Sequence, residues 1–76
     1  MEVDLAISLV RDELERAERK FPSFHSYHEG YAVILEEVRE LEAEVFRNRA
    51  TWNDKAIQVE AIQVAAMSIK LLTSLF

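Results

Sequence analysis

The sequence contains no cysteine, so neither a disulfide framework nor a thiolate metal site can staple the chain. With a single glycine, Gly30, it has no glycine-rich phosphate loop. Nor does it offer a Ser/His/Asp or Cys/His set for nucleophilic catalysis. Basic residues are few, nine against fourteen acids, giving a net charge of −5 and a pI near 4.9. That balance argues against duplex nucleic acid or an anionic membrane as partner. No run reaches the roughly 18 uninterrupted apolar residues of a membrane span. Asp4, Arg11 and Asp12 interrupt any N-terminal apolar run, so no signal peptide is expected. The expectation is a soluble cytoplasmic protein without nucleic-acid or membrane partners.

What the chain has in excess is apolar side chain: half of its 76 residues are hydrophobic. A chain this short buries a smaller share of its surface than a typical domain. Burial between identical chains resolves the mismatch, so one domain, residues 1–76, is expected in an obligate oligomer.

Val3, Ile7, Val10, Leu14, Ala17 and Phe21 recur at spacings of three and four, which predicts a first amphipathic helix over Val3–Lys20. Its charges, including Asp12 and Arg16 one turn apart, read as a solvated face, and the helix is expected to pack rather than do chemistry. Phe21-Pro22 ends it, because the residue before proline avoids the α region. A second helix is expected over about Ser26–Phe46, with Ser26 and Glu29 as a capping box. Tyr31, Ile34, Leu35, Val38, Leu41, Val45 and Phe46 gather on one face, and Glu29, Glu36, Glu37, Glu40 and Glu44 on another. Gly30 falls in its first turns, where close packing against another backbone is one explanation.

Residues 47–55 form a short polar connector in which Thr51, Asn53 or Asp54 can cap the next helix. Its shortness makes the second and third helices antiparallel neighbours. The third, Asp54–Leu75, is apolar almost all round and belongs at the centre of an assembly. Its polar exceptions, Glu60, Gln63, Lys70 and Ser74, fall on one narrow strip.

Glu37 and Glu40 lie one turn apart on the second helix, and Glu60 and Gln63 one turn apart on the third. Facing each other, the two pairs would make a four-ligand oxygen cluster suited to a hard divalent cation such as Mg²⁺. The bland alternative is a solvated acidic face. The run Glu36-Glu37-Val38-Arg39-Glu40, followed by Glu60-Ala61-Ile62-Gln63, resembles the Glu-Glu-x-x-Glu and Glu-x-x-Asp signatures of the MazG-like nucleoside triphosphate pyrophosphohydrolases. The lead-in from Phe21 to Tyr31 extends the resemblance to about residues 21–75. It departs where Gln63 stands in place of the family's aspartate.

The resemblance implies an all-α fold: an antiparallel helical hairpin plus an N-terminal helix, forming a four-helix-bundle core across a dimer or tetramer. It implies Mg²⁺, with Mn²⁺ as a substitute, held by Glu37, Glu40, Glu60 and Gln63. Glu36 would be a further ligand or the base that orients water. The reaction implied is hydrolysis of a nucleoside triphosphate to monophosphate and pyrophosphate. Gln63 keeps an amide oxygen but brings no charge, which implies weaker metal affinity, a changed metal count or lost activity.

Lys70 and Lys55 are candidate phosphate contacts; Lys70 shares the strip with Glu60 and Gln63, and could equally pair with an acid. Trp52 either stacks on a base or covers the bundle end. His28 and His25 could bind metal or phosphate, but no third imidazole or thiolate accompanies them. A non-catalytic nucleotide- or metal-binding relative and a plain helical oligomerisation module are the competing readings.

Overall fold

A computed structural model describes residues 1–76 and contains three α-helices and no strand. They are α1 (Val3–Lys20), α2 (Tyr27–Val45) and α3 (Asp54–Leu75). The all-α class and the three expected spans are both present.

Each boundary has a local cause. α1 stops at Phe21, which is extended at φ −132° and ψ 145°, as a residue before proline should be. Ser26 caps α2, its Oγ accepting the Glu29 N–H at 3.0 Å. The Glu29 carboxylate reaches one residue further back than a capping box requires, accepting the His25 N–H at 3.2 Å. After α2 the connector tightens into a 3-10 turn, Arg49–Thr51. Asn53 caps α3: its Oδ1 accepts the Ala56 N–H at 3.1 Å.

α3 is the central element. Both α1 and α2 pack against it, and they do not pack against each other. The buried core is small: Ala17 of α1, Phe24 of the first linker, and Ala66 and Met67 of α3. Val10, Leu14, Val33, Ile34, Leu71 and Leu75 complete it at its edges. The linker is tied down where the Phe24 N–H donates to Ser74 Oγ at 3.1 Å.

Antiparallel register between α2 and α3 follows the contacts. Tyr27 stacks on Phe76 with ring centroids 5.8 Å apart, at the open end of the hairpin. Gly30 lies against Leu71, where a Cβ would overlap Leu71 Cδ1 and stand 3.2 Å from Phe24 Cδ2. The close approach at Gly30 is therefore to side chains rather than to another backbone.

Outside this core, Ile7 of α1, Tyr31 and Val38 of α2, and Ile69 and Leu72 of α3 are exposed. An apolar groove of about 520 Å³ runs between α1 and α3, lined by Ile7, Val10, Leu14, Ala65 and Ile69. α3 itself has the length and composition of a membrane span, with mean hydropathy 1.3 over its most apolar stretch. Uninterrupted apolar residues are not what gives it that character, because Glu60, Gln63 and Lys70 lie within it.

Ala66 has 0% of its surface exposed, so nothing larger fits without displacing a neighbour. Ala66→Leu should lower unfolding free energy by about 1–3 kcal/mol, the usual cost of overpacking a closed core. Urea denaturation followed by far-UV circular dichroism measures it; an unchanged midpoint would mean that the three helices are not seated as described.

Candidate metal centre

The register that seats Gly30 on Leu71 carries the acidic face of α2 onto the polar strip of α3. Glu37, Glu40 and Glu60 converge, with one carboxylate oxygen from each lying within 4.8 Å of the others. Glu37 and Glu60 are half-buried and Glu40 is exposed. Gln63 meets Glu37 head-on. With its amide nitrogen turned inward, Nε2 donates to Glu37 Oε2 at 3.0 Å and reaches Oε1 at 3.3 Å.

The electrostatics are unfavourable as they stand. Burial, then the charge and hydrogen bonding of Glu40, then the charges of Glu60 and Glu36, push the Glu37 carboxyl up to about 7. Glu60 is also raised, first by burial and then by Glu40 and Glu44. The Gln63 amide works the other way, since a donated N–H favours the carboxylate. One buried atom, Glu60 Oε2, receives no N–H or hydroxyl hydrogen bond, and the polar neighbour of the Glu60 side chain is the Glu40 carboxyl, through a shared proton. Buried polar atoms are almost always paired, so this oxygen has room for a proton, a water or a cation.

The donor set fits a hard divalent cation. It is all oxygen, offers three carboxylates, and contains no thiolate or imidazole to favour a softer metal. Gln63 can join through its amide oxygen only by turning its nitrogen away from Glu37.

Beside the cluster, a cleft of about 390 Å³ opens between the three helices. Glu36, Glu37 and Gln63 form one side of it, and Lys70, Phe21 and Phe24 line it as well. α1 supplies Glu13 and Arg16. α1 packs as expected, and its last turns pack so that they form a wall of the cleft. Arg16 pairs with Glu13, with Nε–Oε1 at 2.6 Å and Nη2–Oε2 at 2.7 Å, instead of with Asp12. Periodicity alone could not find this wall, because it comes from the angle at which α1 crosses α3.

The other candidates lie apart from this cleft. Trp52 closes the end of the hairpin, its Nε1–H donating to Val45 O at 3.0 Å and Arg49 standing 5.5 Å over its ring. Lys55 is exposed in the first turn of α3, and His28 is exposed in the first turn of α2. None of the three lines the cleft with Gln63 and Lys70.

The chain matches no family model, no curated protein and no solved structure.

Glu37 holds its proton more tightly in the fold than in the unfolded chain, where its ordinary value is 4.5. Its contribution to metal-free stability is therefore complete below that value and is lost as the pH rises through about 7. The melting temperature in EDTA should fall between about pH 4.5 and about pH 7, and Glu37→Gln should flatten that fall. An equally steep profile in the variant would place the titration elsewhere.

Proposed function

We propose that this chain is a divalent-cation-dependent nucleoside triphosphate pyrophosphohydrolase, and the observation that carries the proposal is the convergence of Glu37, Glu40 and Glu60 around an unpaired Glu60 Oε2. Glu37, Glu40 and Glu60 would hold Mg²⁺ or Mn²⁺, with the Gln63 amide as an uncharged fourth group. The chemistry supplied by such a cation is neutralisation of phosphate charge and acidification of water. The chain's own part is to orient the reactants and to move a proton. Glu36, exposed at the cleft, would be a further ligand or the carboxylate that takes a proton from water. The water oxygen bonds to phosphorus as the α–β bridging P–O bond breaks, and pyrophosphate leaves. The cleft has the volume of a small-molecule site.

Self-association belongs to the same reading. The chain exposes 5731 Å², whereas a compact folded monomer of 8.8 kDa exposes about 4,800 Å². An excess of roughly 900 Å² per chain matches the 800 Å² or so that each partner buries in a stable interface. A homodimer that joins the α2–α3 hairpins of two chains would complete a four-helix core.

Gln63 favours a second reading, a cation-binding relative without turnover, because its amide adds a hydrogen bond where a fourth carboxylate would add charge. Pyrophosphate release from a panel of nucleoside triphosphates, in Mg²⁺, Mn²⁺ or EDTA, separates the two. Metal-dependent release that drops at least about 100-fold in Glu60→Gln is expected, by analogy with the losses seen even when a ligand's supporting partner is removed. A silent parent whose Gln63→Asp variant turns over would establish the non-catalytic relative. Silence of both, with no rise in melting temperature on adding Mn²⁺, would leave only a helical assembly module.

A further inference from the structure

Lys70 is 4% exposed, the one buried cation in a chain of net charge −5. No carboxylate pairs with it, and its ammonium takes part in none of the side-chain hydrogen bonds that tie the rest of the chain together. Its neighbours are aromatic instead: the ammonium stands 4.6 Å from the Phe24 ring centroid and 5.9 Å from that of Phe21. The stem of the side chain is buried while its nitrogen stays open to the cleft, with the two rings supplying cation–π contact and no anion. Glutamates that could neutralise it, Glu29, Glu36 and Glu37, line the same cleft, yet none comes within ion-pair distance.

The geometry points to Lys70 as an anion-receiving residue, its ammonium set between Phe21 and Phe24 to take an oxygen of the polyphosphate chain whose cation lies at Glu37, Glu40 and Glu60. The identity of that anion rests on the pyrophosphohydrolase reading; the existence of an anion subsite does not. A simple anion would be repelled by the glutamates of the cleft. An anion that brings its own divalent cation satisfies both ends at once. Spacing agrees. Lys70 is seven residues beyond Gln63, about 10 Å along the helix axis. A lysine side chain leans toward its helix N-terminus, here toward Gln63, and shortens that gap. The remaining distance suits a chain of phosphates better than a single one. Pro22 and the Phe24–Ser74 hydrogen bond hold the two rings in place, so the subsite is built before any ligand arrives.

The test is calorimetric titration of the full chain with inorganic triphosphate, with and without Mg²⁺, and separately with Mn²⁺ alone. Lys70→Met keeps the length of the side chain and its contact with the rings while removing the charge; Lys70→Gln serves as a second variant should Met fail to fold. Arg11→Met, an equal change of net charge at an exposed position of α1, is the control. Triphosphate affinity should fall about tenfold or more in the Lys70 variants, the scale for one hydrogen bond to a charged group. Mn²⁺ affinity should be unchanged, and Arg11→Met should bind as the parent does. Equal triphosphate affinity in parent and Lys70 variants, or no triphosphate binding by the parent, overturns the proposal. Lys70-dependent triphosphate binding that ignores Mg²⁺ and survives Glu60→Gln keeps the anion subsite and removes the cation reading.

Discussion

One helix has to serve two neighbours that never touch. α3 is apolar on nearly every side, and α1 and α2 each cover part of it without meeting. Everything else depends on that arrangement. The cleft exists because α1 and α2 diverge across α3, and it is lined from all three helices because α3 forms its floor. Four polar residues of α3, Glu60, Gln63, Lys70 and Ser74, are then disposed along one strip. Glu60 joins the carboxylates, Gln63 bonds Glu37, Lys70 meets the phenylalanines, and Ser74 ties down the linker.

The carboxylate cluster is the least comfortable part of the fold. Two groups, Glu37 and Glu60, are raised by burial and by neighbouring glutamates, Glu40 above all, and one oxygen receives no donated hydrogen bond. Such an arrangement opposes folding unless protons or a cation neutralise it. Native chains tolerate local conflict of this kind chiefly where function requires it. Lys70 presents the complementary conflict, a buried positive charge without an anion. Glu36 and Glu37 line the cleft together with Lys70 and form no ion pair with it, and that separation gives the cleft its polarity.

The helices and their order were legible in the sequence, because apolar spacing, Pro22 and Ser26 each act locally. So was the meeting of Glu37, Glu40 and Glu60: one turn of spacing on two antiparallel helices leaves few other outcomes. What was not legible depends on how helices cross. Glu13 and Asp12 are both within one turn of Arg16, and helical spacing alone does not choose between them. The neighbour of Gly30 was equally hidden, since Leu71 lies forty-one positions away in the chain and no local rule links the two. Asn53, one of three candidate caps, could not be singled out because its neighbours carry equally suitable side chains.

The absence of contact between α1 and α2 bears on the order in which the molecule assembles. α2 and α3 are joined by a connector of a few residues, whereas α1 must reach α3 across the whole of α2. Each doubling of the chain between two contacting segments adds about 0.6 kcal/mol of closure entropy. The hairpin is therefore the cheaper contact, and docking of α1 is the later one. The carboxylates and Lys70 all sit on segments that close early or flank the linker; the cleft wall carrying Glu13 and Arg16 arrives last. A chain that has its charged residues in place but no wall over them is open to solvent, and seating α1 turns that open face into an enclosed cleft.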